Sequence, residues 1–223
     1  MIRATISGDV VASTALSVQG REVLEKGFGV LIKSLHKNYH VYSRVIKGDY
    51  LECYLPDPSE ALRLMLIIKC FIKALAIDAR LDVKPFKTHG IRLAMGVGAI
   101  SRFDEKRGII DGEAIYLSGR LISRQGEVSG KRKVIKSTLF IDAFDKKLVE
   151  EFEPVVALLD VLLTRCTARQ CEVVFLKLLG KNEEAISKEL NISQSAVNQH
   201  STSAGWNAIE KAVVRFSQVI KKL

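Results

Sequence analysis

Beyond about residue 145 the sequence offers no further strand-like run, whereas before it short β-rich segments alternate with helical ones. A chain punctuated in this way is expected to fold as a sheet domain followed by an all-helical piece. The runs can be placed in order. IRATIS (2–7) reads as a strand closed by Gly8-Asp9, and Leu24, Phe28, Leu31 and Leu35 follow at helical spacing. VYSRVIK (41–47) and YLECYL (50–55) form a hairpin turning at Gly48-Asp49. Asp57-Pro58-Ser59-Glu60 supplies an N-cap, a proline at the first helical position and an early acid, which predicts a helix to about Arg80. IRLAMGVGAI (91–100) is a buried strand, residues 114–124 a short helix, and RKVIKSTLFI (132–141) the last strand. This order suits an α+β fold of ferredoxin-like type, an antiparallel or mixed sheet with helices on one face. The expected boundary divides residues 1–149 from residues 150–223.

Composition removes several classes. A hydrophobic content of 48% excludes a disordered chain, and 15 Gly with 4 Pro exclude a collagen or a linker. Cys53, Cys70, Cys166 and Cys171 show no C-x-x-C spacing, which suits reduced thiols and a cytoplasmic protein. The first residues lack the apolar core of a signal peptide, and Arg63, Lys69 and Lys73 interrupt the most apolar stretch, 61–77, so no membrane span is expected. The charge is lopsided. Residues 151–223 carry 9 basic and 8 acidic side chains, so the first 150 hold nearly all of the +9. Part of it is one run through Arg120, Arg124, Lys131, Arg132, Lys133 and Lys136, either a solvated face or a phosphate-seeking patch.

In the C-terminal piece Thr167 can cap a helix that Gly180 ends, and Asn182 can cap a second over 183–190. Asn191-Ile192-Ser193 is a tight turn with one inward aliphatic, and a third helix opens at Gln194. Two helices joined in this way make a helix-turn-helix, whose second member enters the major groove of double-stranded DNA. Thr167, Arg169, Glu172, Val173, Ala185, Ile192, Ser193 and Val197 resemble the pattern of LuxR-type and sigma region-4 modules. The expected DNA-facing residues are Gln194, Ser195, Asn198, Gln199, Ser201 and Thr202. They are polar but not basic, so phosphate attraction would come from a homodimer or from Lys131 and Arg132 of the first domain. Trp206, Ile209, Val213, Phe216 and Ile220 form an apolar stripe that is either core packing or a dimer seam.

In a ferredoxin-like sheet the first strand and the strand after the hairpin are antiparallel neighbours, which brings Asp9 and Asp49 to one rim. Paired carboxylates suit Mg2+ with a bound phosphate, and Ser13-Thr14 would cap the following helix toward an anion. SGDVVAST, KGDYLECYLPDPSEAL and GEAIYLSGRL resemble the segments that carry the site of class III nucleotidyl cyclases, and also the palm of GGDEF diguanylate cyclases. The resemblance implies Asp9 and Asp49 as metal ligands and Arg120 as a phosphate-facing arginine. Tyr116 replaces the cyclase Asn, Val45 the base-selecting Lys, and Ala12 a Gly. These departures argue against a working cyclase and leave metal and phosphate binding. Over nearly the whole chain, GDVVAS (8–13), GDYLE (48–52), IRLAMGVGAI (91–100), DGEA (111–114) and the terminal helices resemble the SatD family. The expectation is a DNA-binding regulator with a degenerate, ligand-sensing cyclase-like domain. The alternatives are a metal-dependent nucleotide-processing enzyme with a helical appendage and an inactive adaptor.

Overall fold

A computed structural model of the chain describes residues 2–77, 84–126 and 135–223. Strands β1 (Ile2–Val10), β2 (Tyr42–Ile46), β3 (Tyr50–Leu55), β4 (Ile91–Asp104), β5 (Ile109–Gly112) and β6 (Leu139–Ala143) form a six-stranded sheet. Its order is β2-β3-β1-β4-β5, with β6 added to β4. Every pairing is antiparallel except β4 with β6, so the sheet is mixed. Around it stand α1 (Val18–Tyr39), α2 (Ala61–Ala74), α3 (Lys84–His89) and α4 (Glu113–Gly126). The C-terminal part is helical throughout, with α5 (Lys146–Arg165), α6 (Ala168–Leu178), α7 (Glu183–Leu190), α8 (Gln194–Ser203) and α9 (Trp206–Ile220). The α+β class stands.

The helices are not confined to one face. Alternation along β1 sends Ala4 and Ile6 into the core with Leu24, Phe28, Leu31 and Leu35 of α1. It sends Thr5 and Ser7 the other way, where both hydroxyls bond the Ser118 hydroxyl of α4, at 3.0 and 2.8 Å. α4 therefore covers the opposite face from α1 and α2. Gly96 permits this contact, because a side chain there would collide with the α4 backbone.

α2 is apolar all round because it lies between two layers. Leu62, Leu64, Met65, Leu66, Ile67 and Ile68 are each 2% exposed or less, with the sheet on one side and α6 on the other. Burial of each such side chain stabilises the fold by about 1.5–3 kcal/mol. The two lysines that break its apolar run are buried as well. Lys69 Nζ donates to the carbonyls of His89 and Ile91 and to Thr138 Oγ1, and Lys73 Nζ to the carbonyls of Leu163 and Thr164. Lys73 thereby satisfies carbonyls at the C-terminus of α5, where a cation also suits the helix dipole. Among the described residues no helix is long and apolar enough to cross a membrane.

Several expected boundaries shift. Asp57 does cap the turn Pro58–Glu60 that opens α2, but α2 stops at Ala74. Beyond it Leu75 and Ile77 leave the helix to pack on Gly27 and Gly20 of α1. β5 was not anticipated; it forms because Gly108, at φ 64°, turns the chain back onto β4. β6 starts only at Leu139, since Thr138 just before it is held by Asp160 and Lys69. The boundary expected between 149 and 150 falls inside α5. Leu148, Phe152, Val174 and Phe216 share one buried cluster with the sheet residues. α6 has two packed faces: Cys171, Val174 and Leu178 join that cluster, while Val173 and Leu176 form a small second core with Ile186 and Val197.

Candidate functional site

A cavity of about 780 Å³ opens between the N-terminal half of α1, the turn Ser13–Ala15 and the β2–β3 hairpin. Leu24, Phe28, Ile32 and Val45 give it an apolar wall, and Ser13, Thr14, Arg21, Glu25, Lys47 and Asp49 a polar rim. That size and division suit a small molecule with an apolar part and a polar part. Lys47 is held with φ at 53° beside Gly48 at 85°, so the hairpin turn fixes a cation in the left-handed region at the cavity edge.

The two aspartates do reach one rim. Asp9 lies opposite Tyr50 on β3 and Arg92 on β4, and the amide of Val10 donates to the Asp49 carbonyl at 3.1 Å. Their carboxylates are committed separately. Asp9 is ion-paired with Arg92, whereas Asp49 accepts the Ser13 hydroxyl at 2.6 Å. Asp49 lines the cavity and Asp9 does not. Among the described residues no three His, Cys, Asp or Glu side chains gather as a metal site. Two carboxylates each held by its own partner do not fit a shared Mg2+, which would have to displace Arg92 from Asp9. Burial raises the Tyr50 phenol, and its hydrogen bond with Ser7 acts in the opposite direction.

The cap of α1 is Ser17, which accepts from the amide of Gly20 at 2.9 Å, and not Ser13-Thr14. Those two form the preceding 3-10 turn and serve the cavity rim instead. Ala12 initiates that turn with φ at 56°, the conformation for which a glycine is the easier occupant. Arg120 is exposed on α4, across the sheet from α1, and does not wall the cavity. Tyr116 is exposed one turn before it, and its hydroxyl donates to Asp111 at 2.7 Å. That hydrogen bond, with the Asp111 charge, raises the Tyr116 phenol. Lys131 and Arg132 lie outside the described residues. Lys136 lines a second cavity, of about 140 Å³, with His89 and Arg165.

Five cavity residues carried no expected role from sequence: Arg21, Glu25, Gly29, Ile32 and Lys47. Arg21 donates to the carbonyls of Leu16 and Thr14, which ties α1 to the rim turn. Lys47 directly precedes Gly48-Asp49, so its place in the turn was there to be read. Gly29 carried no sequence signal. A Cβ built on it meets no atom within 4 Å, and the residue is exposed within α1. Gly29→Ala is therefore expected to raise stability by about 0.5–1 kcal/mol through helix propensity alone. In a thermal melt this appears as a rise of about 1–4 °C.

In the C-terminal part α6 and α7 open at the caps that the spacing predicts. Thr167 and Gln170 form a full capping box, and Asn182 caps α7 by accepting from the amide of Ala185 at 2.9 Å. Asn191 ends α7 with φ at 50°, which asparagine tolerates better than most residues. The cap of α8 is Ser193, leaving Gln194 free of that task. Gln194, Ser195, Asn198, Gln199 and Thr202 are exposed along α8. Ser201 is a correction. It is 3% exposed and turns inward with Val197, its hydroxyl donating to the Asn198 carbonyl. The α9 stripe is core: Ile209, Val213, Phe216 and Ile220 are buried, and Phe216 meets Phe152 of α5 edge-on at 4.9 Å.

No family model matches the chain, and no curated protein matches it. Among solved structures, a bacterial light-regulated adenylyl cyclase is similar over 63% of this chain and 43% of its own, at 15% identity and a TM-score of 0.44. This chain thus spans less than half of that relative. The guanylyl cyclase Cya2 is similar over 56% of this chain and 70% of its own, at 14% identity and a TM-score of 0.37. Adenylate cyclases from Trypanosoma brucei give 53% and 67%, at 19% identity and a TM-score of 0.38. Likeness at these levels carries no ligand or activity across to this chain.

Proposed function

We propose that this chain is a DNA-binding regulator whose cyclase-like α+β part binds a nucleotide or related phosphate ligand in the 780 Å³ cavity. The observation that carries the reading is the joining of two features by one helix. α6 packs on α2 of the sheet domain with one face and on α7 and α8 with the other. Arg21 and Lys47 would meet the anionic groups of the ligand, with Ser13 and Thr14 donating hydroxyls, while Leu24 and Phe28 take its apolar part. α7, the turn 191–193 and α8 would act as a helix-turn-helix, with α8 in the major groove of double-stranded DNA. Binding without turnover is the expected behaviour: the resemblance puts Tyr116 where a cyclase has Asn, and Arg92 is ion-paired with Asp9.

Base reading falls to exposed amides. Asn198 and Gln199 can each make paired contacts to an adenine edge, worth roughly 1–3 kcal/mol of discrimination. The Asn198 Oδ1 accepts from Thr202 at 3.0 Å, which orients the amide. Selection from random duplexes should enrich a motif with the wild-type protein at low salt. Asn198→Ala should blunt the preference by about ten-fold or more while stability changes by less than about 0.5 kcal/mol. No enrichment with the wild type would end the DNA reading.

A further inference from the structure

The smaller cavity, of about 140 Å³, lies where the last residue of α3, the segment 135–137 leading into β6 and the end of α5 meet. Pockets for organic ligands begin at about 300 Å³, so this one has room for a small ion or a few waters. Its charges decide between them. Lys136 lines it from the approach to β6 and Arg165 from the end of α5, and among the described residues neither has an ion partner or a hydrogen bond. Ser137 and Thr164 line it too, and among the described residues their hydroxyls bond nothing. Asp160 also borders the cavity, but its charge is already answered. It accepts from the amide and hydroxyl of Thr138 and the amide of Leu139, with Lys69 at 3.9 Å. The carbonyls of Leu163 and Thr164 would oppose an anion at the end of α5, and Lys73 Nζ holds both. A surplus of two cations remains.

His89 supplies the second observation. Its side chain lines the cavity, and its Nδ1 is buried without a hydrogen-bond partner. Native proteins seldom leave such an atom unpaired. Burial lowers the His89 ring from its ordinary value, Lys69 and Lys73 act in the same direction, and Asp160 acts against them. A neutral ring still offers one N–H, and an oxyanion beside it would accept that proton's hydrogen bond and favour the charged form. A water molecule would answer Nδ1 but not the two cations.

We propose that this cavity binds a single inorganic phosphate, held by Lys136 and Arg165, with the Ser137 and Thr164 hydroxyls and the His89 ring as further donors. Lys136 is the end of the basic run that the sequence left open between a solvated face and a phosphate-seeking patch. The bound ion would tie the last turn of α5 to the segment entering β6, just before α6 begins. The site shares no residue with the 780 Å³ cavity and stands independently of the nucleotide and DNA readings.

Titration of the full chain with potassium phosphate, against potassium chloride at matched ionic strength and pH, tests this. The readouts are the NMR signals of the histidine rings and the melting curve. The His89 signal, assigned by its loss in His89→Gln, should move along a saturable curve while those of His36, His40 and His200 stay in place. The melting temperature should rise with phosphate beyond its change in chloride. Lys136→Gln and Arg165→Gln are exposed changes that should leave melting without phosphate cooperative, and each should weaken binding by about ten-fold or more. Lys47→Gly removes a cation from the other cavity and so tells the two sites apart. Phosphate that does no more than chloride would overturn the inference. So would binding that neither glutamine variant weakens, or binding lost in Lys47→Gly and kept in Arg165→Gln.

Discussion

Lys69→Met is expected to destabilise the protein by about 3–5 kcal/mol, a fall in melting temperature of roughly 6–20 °C. Lys69 is fully buried, and its ammonium donates to the His89 carbonyl at 2.7 Å, the Ile91 carbonyl at 2.8 Å and Thr138 Oγ1 at 2.5 Å. It also lies 3.9 Å from Asp160, which is 4% exposed and accepts from the amide and hydroxyl of Thr138 and the amide of Leu139. Methionine keeps the aliphatic stem but leaves a buried carboxylate without its cation and two carbonyls without a donor. Adding Asp160→Asn should recover part of the loss, since the two groups belong to one network.

The same lysine gives a pH signature. Burial lowers it to about 8, with the Asp160 charge acting in the opposite direction. Its value in the unfolded chain is about 10.4. Between those values the unfolded chain holds a proton that the folded chain lacks, so stability rises with pH across that window. Lys69→Met has no such group. The stability gap between wild type and variant should widen from about pH 8 to about pH 10, measured by denaturant titration. A gap that narrows over that range would mean that burial does not lower this lysine.

Gly96→Ala should cost about 3 kcal/mol, the upper end of what an overpacked site costs when the neighbour cannot yield. An added Cβ would lie 2.1 Å from the Ala114 carbonyl oxygen and 2.9 Å from the Ser118 amide, both backbone atoms of α4. The helix must move. With it moves Ser118, the hydroxyl that bonds Thr5 and Ser7 on β1. Gly98 on the same strand supplies the control. Its Cβ would meet the Glu113 carboxylate at 2.8 Å, the far end of a flexible side chain. Gly98→Ala should therefore cost less than about 1 kcal/mol. Equal effects at the two positions would show that α4 is not seated on Gly96.

What the sequence made legible was local. The cap at Thr167, the helix over 183–190 and the turn 191–193 were all readable, because each depends on a side chain bonding a backbone amide a few residues away. The order of strands and helices before β6 was readable from hydrophobic periodicity, apart from α3 and β5. What escaped depends on contacts between distant segments. Lys69 and Lys73 read as interruptions of an apolar stretch, since nothing local shows the carbonyls of β4, α3 and α5 that receive them. Arg92 looked like an ordinary strand residue until register placed it across from Asp9. The face chosen by α4 was set by Gly96, whose role is visible only once the helix backbone lies against it. In α8 a polar composition hid the inward turn of Ser201, because a small hydroxyl can satisfy itself on the preceding turn.

The ligand cavity bears most of the functional account, and calorimetric titration with nucleoside triphosphates, each with and without Mg2+, tests it most directly. Two variants give the test its resolution. Gly29→Leu projects a side chain from open helix surface into the cavity, and Lys47→Gly removes the rim cation at a position whose φ of 53° glycine adopts freely. The account predicts saturable binding of at least one triphosphate by the wild type, weakened by about ten-fold or more in both variants while their melting curves remain cooperative. It also predicts that the triphosphate is recovered unchanged. Absence of binding across the panel, or binding that Gly29→Leu and Lys47→Gly leave intact, would contradict the assignment of this cavity.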